Sequence, residues 1–198
     1  MSILASDTEE ITCLSIQQPY AAAVFFDGKW CENRSWATNY TGELWIHASK
    51  IDQEIVSEAL SLDVDLNDVW PDRLRTGAIL GRVQMLGCFS GDDLFAAATL
   101  EACDVMQENP KNRPPVTQEN RKTVELIQKM LHGVNPATWS HFTRSRYAWI
   151  FGDPEYLENP IEMPGSLSLW KAKVPSSSLV LIDWGDGSDS SSGIPDSN

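Results

Sequence analysis

Over the first fifty residues the spacing of apolar and polar positions changes repeatedly. Residues 11–16, ITCLSI, form a short, mostly apolar run of the kind a buried strand shows. Tyr20, Ala23 and Val24 then recur at helical spacing with Phe25 beside them. Pro19 suits a first helical position, and Asp27-Gly28 supplies the stop. From residue 31 to 36 the period falls to two, placing Glu32, Arg34 and Trp36 on one face and Cys31, Asn33 and Ser35 on the other. A turn over Asn39-Tyr40-Thr41-Gly42 leads into 43–48, ELWIHA, where Glu43, Trp45 and His47 alternate with Leu44, Ile46 and Ala48.

Downstream, Ser49 is placed to cap a helix over 51–62, with Ile51, Ile55, Ala59 and Leu62 on one stripe. A polar connector follows over 63–76. Residues 77–89 read as a long strand in which Gly77, Gly81 and Gly87 mark bulges or close backbone approach. Residues 91–145 break the strand pattern. Asp92 or Asp93 opens one helix, a proline-rich loop covers 109–116, and Thr117 caps a second helix with Val124, Ile127 and Leu131 on one side. Strand pattern returns at 146–151, Asp153-Pro154 reads as a turn, and the prolines of 155–165 suit an edge segment. Residues 166–173 are the last clear strand, and 176–182 read either as a further strand or as a docking strand for a partner.

The expected architecture is therefore α+β. Strands at 12–16, 31–36, 43–48, 78–86, 147–151 and 167–172 form one closed or nearly closed small mixed barrel with covering helices. The helical insertion 91–145 lies outside it. The expected boundaries are a flexible terminus over 1–10, a domain over 11–184, and a disordered Gly/Ser/Asp tail over 185–198.

Composition sharpens this picture. A chain of 198 residues with 42% hydrophobic and 22% charged residues predicts one folded domain with its own core. No apolar run approaches the ~18 residues of a membrane span. The opening MSILASDTEE lacks the basic and apolar regions of a secretory signal, so the expected location is cytoplasmic. Cys13, Cys31, Cys88 and Cys103 form no C-x-x-C pair, which predicts reduced thiols and no metal site. No cofactor is called for.

The net charge is −13, and part of it is peripheral: Asp7, Glu9, Glu10, Asp183, Asp186, Asp189 and Asp196 lie near the ends. Setting those seven aside leaves 21 acidic against 15 basic residues, a net of −6. An acidic body does not attract a polyanion at long range, so any anionic ligand needs a local basic site.

Lys29, Glu32 and Arg34 are the candidate for that site. They fall within six residues of an otherwise apolar segment. One reading makes them an internal ion pair at a barrel mouth. The other makes them a clamp: Lys29 and Arg34 take phosphate or carbonyl oxygens, and Glu32 accepts from an exocyclic amine. Trp36 and Trp45 share a face with charged neighbours on their own strands and are candidates to stack on a base, whereas Trp149 and Trp170 read as core. His47 is a strand histidine or an acid. Arg73, Arg75 and Arg82 extend a basic rim or simply face solvent. Cys31, opposite Glu32, reads as core.

Several pieces in order resemble one family. The ASCH domain, a branch of the PUA-like superfamily, has the pattern G-x-K-x-x-E-x-R, matched here by Lys29, Glu32 and Arg34. Asp27 stands at the glycine position, with Gly28 one residue late. Gln18-Pro19, Asn39-Tyr40 with Gly42, His47-Ala48-Ser49, residues 77–81, Tyr147-Ala148-Trp149 and Leu169-Trp170 also match, leaving 91–145 outside. The resemblance implies a small PUA-like barrel whose charged cleft binds RNA or a modified nucleoside. Some related proteins are amidohydrolases on N4-acetylcytidine with a threonine nucleophile in K-x-x-T-x-R; Glu32 holds that position here, and a carboxylate is a poor substitute for an alkoxide.

The leading expectation is thus an RNA- or modified-nucleotide-binding module using Lys29, Glu32, Arg34, Trp36 and Trp45. The first alternative is a hydrolase of the same cleft, acting on an N4-acetylcytidine-type amide or an RNA phosphodiester. Glu32 would be its base, Lys29 a base or electrostatic stabiliser and His47 an acid. The second is a protein-interaction scaffold that recruits a partner through the insertion.

Overall fold

The computed structural model describes residues 7–54, 74–97, 116–132 and 145–183. Six strands make one sheet: β1 (Thr8–Gln18), β2 (Cys31–Arg34), β3 (Gly42–Ile51), β4 (Ala78–Ser90), β5 (Tyr147–Glu162) and β6 (Leu169–Pro175). Their order is β2-β5-β4-β3-β1-β6. β1 and β3 run parallel, and every other neighbouring pair is antiparallel. The parallel pair needs a crossover, and α1 (Tyr20–Phe26) with β2 supplies it. Helix α2 (Arg121–Leu131) and a helical segment over 91–97 come from the insertion.

The sheet is open rather than a closed barrel. Its end strands β2 and β6 share no ladder among the described residues. It nevertheless curls: the Arg34 guanidinium, on end strand β2, donates to the carbonyl of Ser15 on β1 at 2.8 Å. A side chain bridges where backbone pairing would have closed the ring.

Both sheet faces are covered, so β3 is buried on either side of its alternation. Leu44, Ile46 and Ala48 join Leu14, Ile16, Val24, Leu80 and Trp149 beneath α1. Trp45 points the other way, into a second cluster with Ile11, Cys13, Ile79, Leu157 and Val174. A third cluster unites the insertion with the sheet: Leu94, Ala97, Val124 and Ile127 pack on Trp30, Cys31, Ala148 and Ile150. Within the described part of the insertion, residues 91–97 and 121–131 are helical, lie outside the sheet and cover its β2–β5 end.

Four sequence expectations shift. β1 begins at Thr8, inside the stretch read as a loose terminus, because Thr8 to Ile11 pair with Pro175 to Ala172. β2 ends at Arg34 instead of residue 36. The presumed helix cap Ser49 lies within β3 and donates to the Ile16 carbonyl, while Asp52 accepts from the Glu54 amide. Residues 55–62 of that predicted helix, and the tail from 184, lie outside the described residues.

The largest difference concerns 153–165. Instead of turning at Asp153-Pro154, β5 runs on to Glu162; β2 pairs only with Tyr147 to Ile150, so among the described strands residues 152–162 ladder with β4 alone, in keeping with an edge segment. Its prolines are accommodated by register shifts: Pro154 falls between the pairs Gln84↔Gly152 and Arg82↔Glu155, and Pro160 between Gly81↔Tyr156 and Ile79↔Ile161. A residue in a bulge makes no ladder bond, so proline costs little there. Gly81 fits closely against this bulge, where a Cβ would collide with the Glu155 carbonyl. Residues 179–182 return to the same bulge, with Leu181 bridging Leu157, and so belong to this fold. Among the described residues no helix is long and apolar enough to cross a membrane.

Candidate functional site

The site grows out of the turn after α1. Buried Gln18 accepts the Ala22 amide through its side chain, securing the start of the helix. Gly28 takes φ 63°, a conformation that glycine adopts without strain, and the Lys29 amide bonds back to the Ala23 carbonyl. Gly28 thus makes the left-handed turn even though Asp27 stands at the glycine position of the motif. The turn points Lys29 inward.

From there an ion chain runs outward. Lys29 Nζ donates to the Cys31 carbonyl and lies 2.6 Å from Glu32 Oε2. Glu32 Oε1 lies 3.2 Å from Arg34 Nη2. Side-chain exposure rises along it, from 2% at Lys29 through 12% at Glu32 to 23% at Arg34. A single carboxylate between two cations leaves a net positive charge, and the more exposed end carries it. A buried charge without a partner is costly, so Lys29 and Glu32 require each other. Arg34 Nε is buried without a partner.

Arg34 opens onto a cavity of about 710 Å³ at the C-terminal ends of the parallel strands β1 and β3. Ser15 and Gln17 line it from β1, and His47, Ser49 and Lys50 from β3. Thr76 and Gly77 form another wall, and residues 165–168 form the rim before β6. Among the described residues no carboxylate lines it, and Arg34 and Lys50 do. Lys29 and Glu32 stand behind Arg34, outside the lining.

His47 is buried and braces one wall. Its Nε2 lies 3.0 Å from the Met163 carbonyl, which only accepts, so the proton sits on Nε2. Burial pushes its pKa below the usual 6.5 against the opposing effect of that bond, so the ring is neutral at pH 7. Nδ1 has no partner and faces Gly165, where a Cβ would lie 2.5 Å from Nδ1 and 2.7 Å from Ser15 Oγ. Trp170 packs edge-on against the imidazole at 5.7 Å and donates from Nε1 to Ser15 Oγ at 3.3 Å. A neutral His47 with its one N–H engaged by a backbone carbonyl is poorly suited to donate a proton.

The two tryptophans expected to stack on a base are placed elsewhere. Trp45 is buried and donates to Glu43 Oε1. Trp36 packs edge-on against Trp149, with ring centroids 4.6 Å apart, and neither lines the cavity. Arg82 is paired with Glu43 and Glu155, and Arg75 with Glu162; Arg73 lies outside the described residues. Burial holds the Cys31 thiol up to about 12, so it is a core group and not a thiolate. The pattern did not single out Ser15, Lys50 or Gly165. Ser15 left a trace as the polar residue ending an apolar strand; Gly165, more than a hundred residues later, left none.

The family model described as ASCH domain matches residues 14–142, about two thirds of the chain. The chain belongs to the ASCH domain family. Activating signal cointegrator 1 of Homo sapiens is 34% identical over 136 residues, which are 64% of this ASCH chain and 22% of that protein. The chain thus spans about a fifth of its relative's length. The crystal structure of ASCH from Zymomonas mobilis aligns over 76% of this chain and 72% of its own, at 12% identity and a TM-score of 0.34. The match takes in the insertion up to residue 142, which the motif pieces had left outside, and stops short of β5. Ser15, Arg34, His47 and Lys50 therefore lie inside the matched segment. The rim 165–168 lies beyond it.

Proposed function

We propose that this ASCH domain binds RNA or a modified nucleotide in the cavity over β1 and β3. The observation that carries the reading is the sign of that cavity. In a chain of net charge −13 it is lined, among the described residues, by Arg34, Lys50 and several hydroxyls and by no carboxylate. Its volume of about 710 Å³ suits a nucleotide-sized ligand. Arg34 and Lys50 take phosphate or carbonyl oxygens. Lys29 and Glu32 act behind them: Glu32 fixes the guanidinium and Lys29 neutralises Glu32, a positioning role in place of ligand contact. Trp36 and Trp45 drop out of the binding set because neither reaches the cavity.

The hydrolase alternative has less support. Glu32, its intended base, has both oxygens held by cations and does not line the cavity. The scaffold alternative draws on the insertion, whose described apolar residues Leu94, Ala97, Val124 and Ile127 are turned inward onto the sheet.

The test is a titration of wild type and Arg34→Ala with cytidine 5′-monophosphate and a short single-stranded RNA at two salt concentrations. Arg34→Ala is expected to cost about 1.5–3 kcal/mol of binding, the range for a hydrogen bond to a charged group. The salt slope in the wild type should correspond to roughly one to three released counterions, not the ~6–10 of a strong backbone binder. Equal affinity in both proteins, or no binding by either, refutes the reading.

A further inference from the structure

Among the described residues Leu167 is the one large apolar side chain on the cavity's rim, and it is 90% exposed. The other exposed large apolar residues, Tyr20, Phe95, Leu126 and Val180, range from 38% to 49%. Both ends of the loop that carries it are fixed. At the start, the Met163 amide bonds to the Gly77 carbonyl at 3.0 Å and the Met163 carbonyl accepts from His47. Gly165 then sits against His47 and Ser15, with no room for a side chain. At the end, Leu169 pairs with Leu14 and Trp170 bonds to Ser15. Ser168 between them takes φ 59°, a left-handed conformation uncommon for residues other than glycine. A residue held in water by two anchored ends is displayed by the fold.

We infer that Leu167 is the base-contacting residue of the cavity: the face of a bound nucleobase packs against it while the phosphate or carbonyl oxygens lie on Arg34 and Lys50. This rests on the nucleotide reading above and adds to it the subsite for the ring. The occupant follows from the polarity of the lining. A ligand meeting both two cations and a single exposed leucine carries an anionic end and a flat apolar face, and a nucleotide has both. Contact through an aliphatic side chain has no hydrogen-bonding requirement, so it accepts pyrimidines and purines alike. Discrimination among bases falls to the polar wall.

The experiment compares wild type, Leu167→Ser and Leu167→Met by calorimetry with three ligands: cytidine 5′-monophosphate, ribose 5-phosphate and a cytidine-containing trinucleotide. Leu167 is exposed, so both variants should melt like the wild type. The inference expects Leu167→Ser to weaken the mononucleotide roughly fivefold, the order expected for partly burying one leucine side chain. Ribose 5-phosphate should be unaffected, and Leu167→Met should restore most of the loss. A trinucleotide that binds tighter than the mononucleotide and keeps the same Leu167 dependence makes RNA the source; equal binding makes it a free nucleotide. If the serine variant weakens both base-bearing and base-free ligands, or neither, the inference is wrong while the cavity reading stands. If wild type binds none of the three, both fall together.

Discussion

Two clusters of three charges flank the same sheet, and they are built in opposite senses. Lys29, Glu32 and Arg34 place one carboxylate between two cations in the interior. Glu43, Arg82 and Glu155 place one cation between two carboxylates on the outer surface, where the hydrogen bond that Arg82 donates to Glu155 and the charges of both neighbours push the Arg82 pKa up. The second cluster ties β3, β4 and β5 together, with all its charges facing water and its net sign negative. The first carries a net positive charge from the core to the edge of a cavity that no carboxylate lines among the described residues. Shorter ion-pair distances do not separate them, since both contain contacts of 2.6 Å. Burial and the sign of the remaining charge do.

Breaking the interior cluster should have the largest effect. Glu32→Ala leaves Lys29 buried without its carboxylate, and the expected loss in urea unfolding is about 3–5 kcal/mol. Replacing both members by apolar residues, Lys29→Met with Glu32→Leu, should recover much of that loss, because neither charge is then stranded. Equal destabilisation by the single and double variants would show that packing, not charge, sets the cost.

The neighbouring His47 offers a smaller effect that the surface cluster lacks. Its folded pKa lies below the unfolded value of 6.5, so above 6.5 the ring is neutral in both states and full stability is present. As pH falls from 6.5 through the folded value, the unfolded chain takes the proton first and stability is lost. His47→Gln should flatten that part of the curve measured by thermal melting between pH 7 and 5. A wild-type curve that rises toward pH 5, or one that the variant leaves unchanged, would contradict the assignment of a buried neutral ring.

Arg82→Ala should do least. Its pairs are substantially exposed and screened, so about 1 kcal/mol or less is expected for each. Ligand affinity should not change. A loss of several kcal/mol would erase the distinction between the clusters.

The interior cluster was legible in the sequence because its three residues are local: a turn followed by period-two alternation is enough to bring Glu32 beside Arg34. The strands were legible for the same reason, apart from the length of β5: Asp153-Pro154 read as a turn, and the bulges that let the strand run on past it depend on its pairing with β4. The cavity was not legible. It forms where Ser15, His47, Lys50 and residues 165–168 converge, and that convergence depends on the parallel β1–β3 pairing and the curl of the sheet. The same long-range geometry keeps Trp36 and Trp45 off the cavity: Trp45 faces a covered side of the sheet, and Trp36, past the end of β2, packs on Trp149. A pattern reports which residues share a side and is silent on whether that side meets water.

The central claim is that Arg34, held by a buried counter-ion, anchors an anionic ligand. Thermal melting of wild type, Arg34→Ala and Arg82→Ala, each with and without saturating cytidine 5′-monophosphate or short RNA, tests it most directly, because a ligand that binds only the folded state raises Tm. The account predicts that ligand raises the Tm of wild type and Arg82→Ala by the same amount and that of Arg34→Ala far less. An equal rise in all three proteins, or a rise lost in Arg82→Ala instead, would contradict it.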